Sequence, residues 1–328
     1  MIKPLNFAIY PLCKSIFFLS LIFFSSFCSA DIEEAKLAYE KRDYDFAAQE
    51  FTKLAKLGNA EAQFSLGVMY EKGLGITQNF AEAFNWYLKA ADQEYRSAKH
   101  NLGLLYYYGK GVKKDFNLAF NWFSEAYYQG DSTSTYLLAL MHLNGEGTER
   151  SDTKALARFT NAANLGHAGA QYNLGVIYRD GLLGAKKDHI AAFDWFSKAA
   201  ELGDKGAQNS LGVFYYNGYY DGKSMTIDFD KAFYWFNLAA SKGDEDGIDN
   251  LSKSYYEGIG VDKNFIAAYA LSNMSSNQNN QIKKDKIAKN LTATELEFAK
   301  ELAEILKANM SNDFATKISI FLKDILQR

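Results

Sequence analysis

Residues 58–93 read GNAEAQFSLGVMYEKGLGITQNFAEAFNWYLKAADQ, and residues 94–129 read EYRSAKHNLGLLYYYGKGVKKDFNLAFNWFSEAYYQ; the two align without a gap. A fixed period of 36 residues marks an array in which one small unit is copied and stacked. Inside the first block, Ala62, Leu66, Met69 and Tyr70 stand at i, i+4, i+7 and i+8, one apolar face of a helix. Gly73 and Gly75 then end that helix, because glycine takes the left-handed cap conformation at little cost. Asn79 is placed to cap a second helix, whose buried face is Ala83, Trp86, Tyr87 and Ala90. Each block therefore predicts a helix, a glycine turn and a second helix.

The pattern continues. A Leu-Gly pair recurs as Leu66-Gly67, Leu102-Gly103, Leu138-Ala139, Leu174-Gly175, Leu211-Gly212 and Leu251-Ser252. An aromatic pair recurs as Trp86-Tyr87, Trp122-Phe123, Trp195-Phe196 and Trp235-Phe236, with Arg158-Phe159 and Leu271-Ser272 in its place in the third and sixth blocks. This sets six repeats at 58–93, 94–129, 130–165, 166–202, 203–242 and 243–276. Glycine turns repeat at Gly109/Gly111, Gly145/Gly147 and Gly258/Gly260; Gly181 and Gly184 bracket an enlarged turn, and Gly218 to Gly222 a longer one. One helix pair cannot bury both its faces, whereas stacked pairs can, so the expected fold is all-α, an α/α superhelical solenoid wound right-handed.

The ends depart from the period. Residues 31–57 carry a degenerate helix pair (Ala35, Leu37, Ala38, then Ala47, Phe51, Leu54, Ala55) expected to cap the array. Residues 277–291 are polar and expected to form a linker. In 292–328, Thr292 and Glu295 have capping-box spacing, followed by Leu296, Ala299, Ala303 and Leu306, and then Phe314, Ile318, Phe321, Leu322 and Ile325. These helices either close the array or form a hook for a partner.

Residues 1–30 are different again. Lys3 and Lys14 precede or flank an apolar run, SIFFLSLIFFSSF, and Cys28-Ser29-Ala30 ends in small residues, the form of a secretory leader cut after Ala30. The run is shorter than the ~20 residues of a membrane span, so no stable anchor is expected after cleavage. Both prolines and both cysteines fall in this segment. The remainder must hold together by its core rather than by disulfides. Without Lys3 and Lys14 the 36 basic side chains fall to 34 against 39 acidic ones, which argues against nucleic acid as a partner.

The Ala-Gln…Leu-Gly…Tyr…Gly-x-Gly…Ala…Trp…Ala-Ala string in successive blocks resembles the Sel1-like repeat family, relatives of the tetratricopeptide repeats. The resemblance implies a scaffold for protein complexes, and in exported bacterial members a part in envelope assembly or contact with host cells. The expected location is accordingly the periplasm or cell surface of a Gram-negative-type bacterium, or the medium. In tetratricopeptide relatives the first helix of each pair lines a concave face. Here that outward stripe holds Phe64, His100, Tyr107, Tyr108, Tyr136, Tyr172, Arg179, Tyr216 and Tyr256. Tyrosine offers wide contact area with few rotors and a polar tip, suited to a protein or peptide partner. An aromatic groove also suits a glycan.

Enzymatic readings are weaker. Ser151-Asp152-Thr153-Lys154 fits Ser-x-x-Lys of β-lactamase-like or wall-remodelling enzymes, a description that some cysteine-rich members of the family carry, but Ser-Asp-Asn and Lys-Thr-Gly are absent. Gly222-Lys223-Ser224 lacks the glycine a phosphate loop needs five residues earlier, where Asn217 stands. His100, His142, His167 and His189 are too widely spaced for a local metal motif, so no metal or cofactor is expected. The sequons at Asn273, Asn290 and Asn309 sit in an Asn- and Ser-rich stretch that generates them by chance.

Overall fold

The computed structural model describes residues 31–220, 225–275, 280–308 and 313–325. The expected leader, the Gly222-Lys223-Ser224 stretch and the sequon at Asn309 lie outside them. The described residues form two compact units that divide between Arg150 and Ser151.

The first unit contains α1 (31–40), α2 (Tyr44–Lys56), α3 (Ala60–Lys72), α4 (Phe80–Ala91), α5 (Arg96–Tyr108), α6 (Phe116–Tyr128) and α7 (Ser132–Asn144). Helices α3–α4 and α5–α6 are the first two repeats, and α1–α2 precedes them as the atypical pair. The second unit holds α8 (Asp152–Asn164), α9 (Ala168–Asp180), α10 (His189–Glu201), α11 (Lys205–Asn217), α12 (Phe229–Ser241), α13 (Glu245–Glu257), α14 (Phe265–Met274), α15 (Asn280–Ala288), α16 (Ala293–Ala308) and α17 (Phe314–Ile325). A two-residue ladder, β1 (Tyr219–Tyr220) with β2 (Met225–Thr226), closes the long turn of the fifth repeat.

Three recurring devices build each hairpin. The first helix ends on a left-handed glycine, such as Gly73 with φ 69° or Gly109 with φ 69°, whose N–H returns to the carbonyl four residues back. The second helix starts on a side-chain cap: Asn79, Asp115, Asp188 and Asp228 each accept backbone N–H bonds from the first turn. The cap residue's own N–H reaches across the turn to a tyrosine carbonyl on the first helix, as Asn79 to Tyr70 (2.9 Å) and Asp188 to Tyr178 (2.8 Å). The hairpin is thus closed by a backbone bond across the turn, and the cap side chain satisfies donors in the second helix's first turn.

Two glycine contacts set the packing. A β-carbon on Gly67 would lie 2.6 Å from the Tyr87 ring, and one on Gly103 would lie 2.5 Å from Phe123. The same holds for Gly175 on Phe196 and Gly212 on Phe236. The second turn glycine meets the preceding pair instead: a β-carbon on Gly111 would collide with the Phe80 backbone, and one on Gly75 with the Tyr44 carbonyl. Buried Gln63, Gln171 and Gln208 add a polar tie between pairs, each donating to a carbonyl of the preceding second helix, Ala55, Ala163 and Ala200.

The segment expected to be a linker departs from that reading. Helix α15 occupies most of it and seats Ile287, 5% exposed, in the core of the second unit. Lysine and glutamine are good helix formers, so one apolar anchor suffices to turn a polar stretch into a docked helix. The terminal helices fold onto the array. Helix α16 packs on α14, and α17 packs on α12, where buried Asn237 accepts from the Ala315 N–H (2.8 Å) and donates to Asp313 (2.5 Å). Thr292 and Glu295 form the reciprocal capping box, with Glu295 Oε2 accepting from the Thr292 N–H at 2.8 Å. Leu37, counted with the cap's apolar face, is 49% exposed; Ile32 takes its place inside.

Candidate functional site

The expected stripe holds residues that join repeats, residues that line cavities, and others, such as the exposed Tyr108 and Arg179 on its neighbour Asp180, that do neither. His100 Nδ1 lies 2.8 Å from Ser134 Oγ on α7. The Tyr107 hydroxyl donates to Glu146 at 2.8 Å, and burial together with that carboxylate pushes the phenol up to about 12. The Tyr216 hydroxyl accepts from Lys253 Nζ at 3.0 Å. These side chains tie a first helix to the first helix, or to the glycine turn, of the next repeat. Arg179 forks onto Asp180 (2.9 and 2.7 Å) and reaches the Phe196 ring, while the Tyr172 ring packs 5.7 Å from that same ring. Tyr108 is the open one, 60% exposed, with its ring 5.1 Å from Tyr107. Tyr136 is half-buried and, like Tyr172, lines neither cavity described next.

In the first unit a cavity of about 300 Å³ opens between α1 and α3. Phe64 and Tyr95, whose rings lie 5.1 Å apart, form one side, and Tyr39 and Val68 complete the apolar lining. At its mouth Lys36 bridges Glu33 (3.0 Å) and Glu61 (3.1 Å), and Glu40 adds a further carboxylate. In the second unit a cavity of about 210 Å³ lies between α13 and α15 and includes Tyr256.

The first cavity coincides with a break in the repeat's own rules. Before the first helix the other repeats place glycine and a capping residue: Gly58-Asn59, Gly130-Asp131, Gly166-His167, Gly203-Asp204 and Gly243-Asp244. The second repeat has Glu94-Tyr95. Glu94 sits at φ 63°, where a side chain is strained, and Tyr95 makes no side-chain cap bond to α5. Left-handed strain costs about 1–2 kcal/mol, and a missing cap about 0.5–2 kcal/mol. Glu94 is compensated by Lys99 and Gln129 (2.5 and 2.7 Å), whereas Tyr95 gains packing against the core around Leu102 and the Phe64 ring together with a place on the cavity wall. Sequence reasoning passed over Lys36, Tyr39 and Tyr95. The signal was present at Tyr95, an aromatic in a register where every other repeat can cap.

His100 is buried enough that desolvation lowers its pKa below 6.5, outweighing Asp131 at 3.6 Å and Glu71, so it stands neutral beside Asp131 rather than paired as an ion. A depressed folded pKa stabilises the native state above the unfolded value, and that contribution fades as pH falls through the folded one. Acidification from about pH 6.5 should therefore lower the melting temperature of the first unit. His100→Gln should flatten that acid limb in thermal scans at successive pH values; an unchanged limb would assign it to other groups.

The Ser151-x-x-Lys154 stretch is a helix start, with Ser151 Oγ accepting from the Lys154 N–H at 3.3 Å. Among the described residues no three His, Cys, Asp or Glu side chains gather as a metal set, and no helix is long and apolar enough to cross a membrane.

A family model described as Sel1 repeat matches six times, over residues 60–95, 96–131, 132–167, 168–204, 206–244 and 246–280. Its frame starts at the first helix, about two residues beyond the blocks read above. A Sel1 repeat protein from Oxalobacter formigenes gives a TM-score of 0.63 at 30% identity, covering 76% of this chain and 97% of that one. The antigen c5321, described as protective, present in uropathogenic Escherichia coli strains and displaying an SLR fold, gives 0.53 at 25% identity, covering 89% of this chain and 71% of that one. The chitin synthase regulator SKT5 of Saccharomyces cerevisiae is 39% identical over 71 residues, 22% of this chain, which spans only 10% of that relative's length.

Proposed function

The chain belongs to the Sel1 repeat family, and on that premise we propose that it is a non-enzymatic adaptor holding a protein or peptide partner on its first-helix face, with the Phe64–Tyr95 cavity as an anchor point. The carrying observation is Tyr95, which forgoes a helix cap to stand on the wall of a cavity. Local rules are broken where function requires it, since such a site is kept against its cost in stability. The cavity has aromatic walls and a mixed rim, which favours an apolar side chain flanked by polar ones. We place the adaptor outside the cytoplasm, in envelope assembly or host contact. The leader-like residues 1–30 support this, as does the description of c5321 as a protective antigen.

The test is in-cell crosslinking of a C-terminally tagged chain, read by mass spectrometry. A partner crosslinked on the first-helix face, together with an N-terminal peptide beginning at Asp31 in the exported fraction, is the expected result. Tyr95→Asn supplies a cap that offsets part of the lost packing against Phe64 and the core, so stability should fall by no more than about 1–2 kcal/mol while the crosslink weakens about tenfold, the scale of losing a buried aromatic anchor. A crosslink indifferent to Tyr95→Asn and to Phe64→Ala would remove the cavity from the proposal. Glycan capture without a protein partner would replace the adaptor reading, and turnover of nitrocefin lost in Ser151→Ala would end it.

A further inference from the structure

We propose that the cavity between α13 and α15 binds an acidic peptide segment, one apolar side chain entering it while carboxylates on the adjoining residues meet lysines on both walls. The proposal rests on the reading of the chain as an adaptor and names a second site with its own chemistry.

The cavity's apolar lining is Tyr256 and Ile287, from α13 and α15 respectively. Its cations come from both helices: Lys253 on one side, Lys283 and Lys286 on the other. Each ammonium is held in place. Lys253 bonds the Tyr216 hydroxyl at 3.0 Å and lies 4.6 Å over that ring. Lys283 pairs with Asp249 at 2.8 Å, and Lys286 lies 5.2 Å over Tyr256. Glu257 approaches Lys253 only to 4.0 Å. Three ammoniums against two carboxylates leave the rim positive around an apolar floor.

That arrangement selects its occupant. A neutral apolar segment would leave the lysines' field unused, and a basic one would be repelled. A lone acetate-like ion would satisfy one wall and leave the floor wet. Carboxylates on residues next to an apolar one reach both walls at once, and complementary potentials of this kind set partner choice. Lys253 and Lys283 are 45% and 54% exposed, and Lys286 is exposed too, so changing them leaves the core intact.

Fluorescence polarisation of the full chain with an acetylated, amidated, fluorescein-labelled Gly-Glu-Leu-Glu-Gly peptide tests it. Saturable binding is expected, weakened by rising salt. Gly-Glu-Gly-Glu-Gly should bind about tenfold more weakly, through loss of leucine burial, and Gly-Lys-Leu-Lys-Gly not measurably. Lys253→Glu with Lys286→Glu should lower affinity about tenfold or more, with an unchanged circular dichroism melt. Equal binding of the acidic and basic peptides, or of Gly-Glu-Gly-Glu-Gly and the leucine peptide, overturns the proposal. So does binding only by a peptide with a free C-terminus. Loss of this binding while in-cell crosslinks at Phe64 and Tyr95 persist removes this site and leaves the adaptor; an intact peptide site with no crosslinked partner does the reverse.

Discussion

Gly111→Ala is expected to lower the stability of the first unit by roughly 2–5 kcal/mol, while Gly130→Ala costs about 1–2 kcal/mol. Both glycines are left-handed, at φ 70° and 78°, so both substitutions incur the conformational penalty of an alanine there. They differ in surroundings. A β-carbon on Gly130 meets nothing within 4 Å, whereas one on Gly111 runs into the Phe80–Ala81 backbone at the entry of the preceding second helix. Backbone cannot rotate aside as a side chain can, so the turn must move and the joint between consecutive hairpins opens. In a Trp195→Phe/Trp235→Phe background, Trp86 and Trp122 report the first unit alone. The urea midpoint should then fall by about 1 M or more for Gly111→Ala, given a slope of a few kcal/mol per molar. Equal midpoints for the two variants would show that the close approach carries no energy.

The devices that repeat were legible in the sequence, because copying turns a weak local signal into a strong one. Gly73 alone could be any loop glycine; with Gly109, Gly145 and Gly258 in register it must be a helix stop. What occurs once was harder to read. Helix α15 has no apolar period, and only tertiary contact makes Ile287 its anchor. The β1–β2 ladder rests on two residue pairs in a turn that matches no neighbouring repeat. The stripe was assigned by position along the first helix. Position shows which side chains face outward but not which are taken up by the next repeat, as His100, Tyr107 and Tyr216 are. The cavities were missed because their walls come from separate elements: Tyr39 and Phe64 in one case, Lys253 and Lys286 in the other.

Phe123→Ala is expected to cost about 3–5 kcal/mol, since this fully buried ring fills the space above Gly103. Gly103→Ala should cost about 1–3 kcal/mol for the opposite reason, overfilling. The two errors cancel in part when combined. With the ring gone, the new methyl occupies vacated space, so the double variant should be no less stable than Phe123→Ala alone, with a coupling of about 0.5–3 kcal/mol. The sixth repeat contains this exchange already. Ser252 stands at the glycine position and Ser272 at the aromatic one, and both are buried. The Ser252 hydroxyl, donating to the Ala268 carbonyl at 2.8 Å, uses the room that a ring takes elsewhere. The third repeat, by its sequence, has Ala139 at the glycine position and Phe159 at the aromatic one, a methyl and a ring in one register, so chemical denaturation of the four proteins in the cycle measures how far the ring of the second repeat depends on its glycine. Strict additivity would mean that the helix itself, through its backbone, demands glycine at this register.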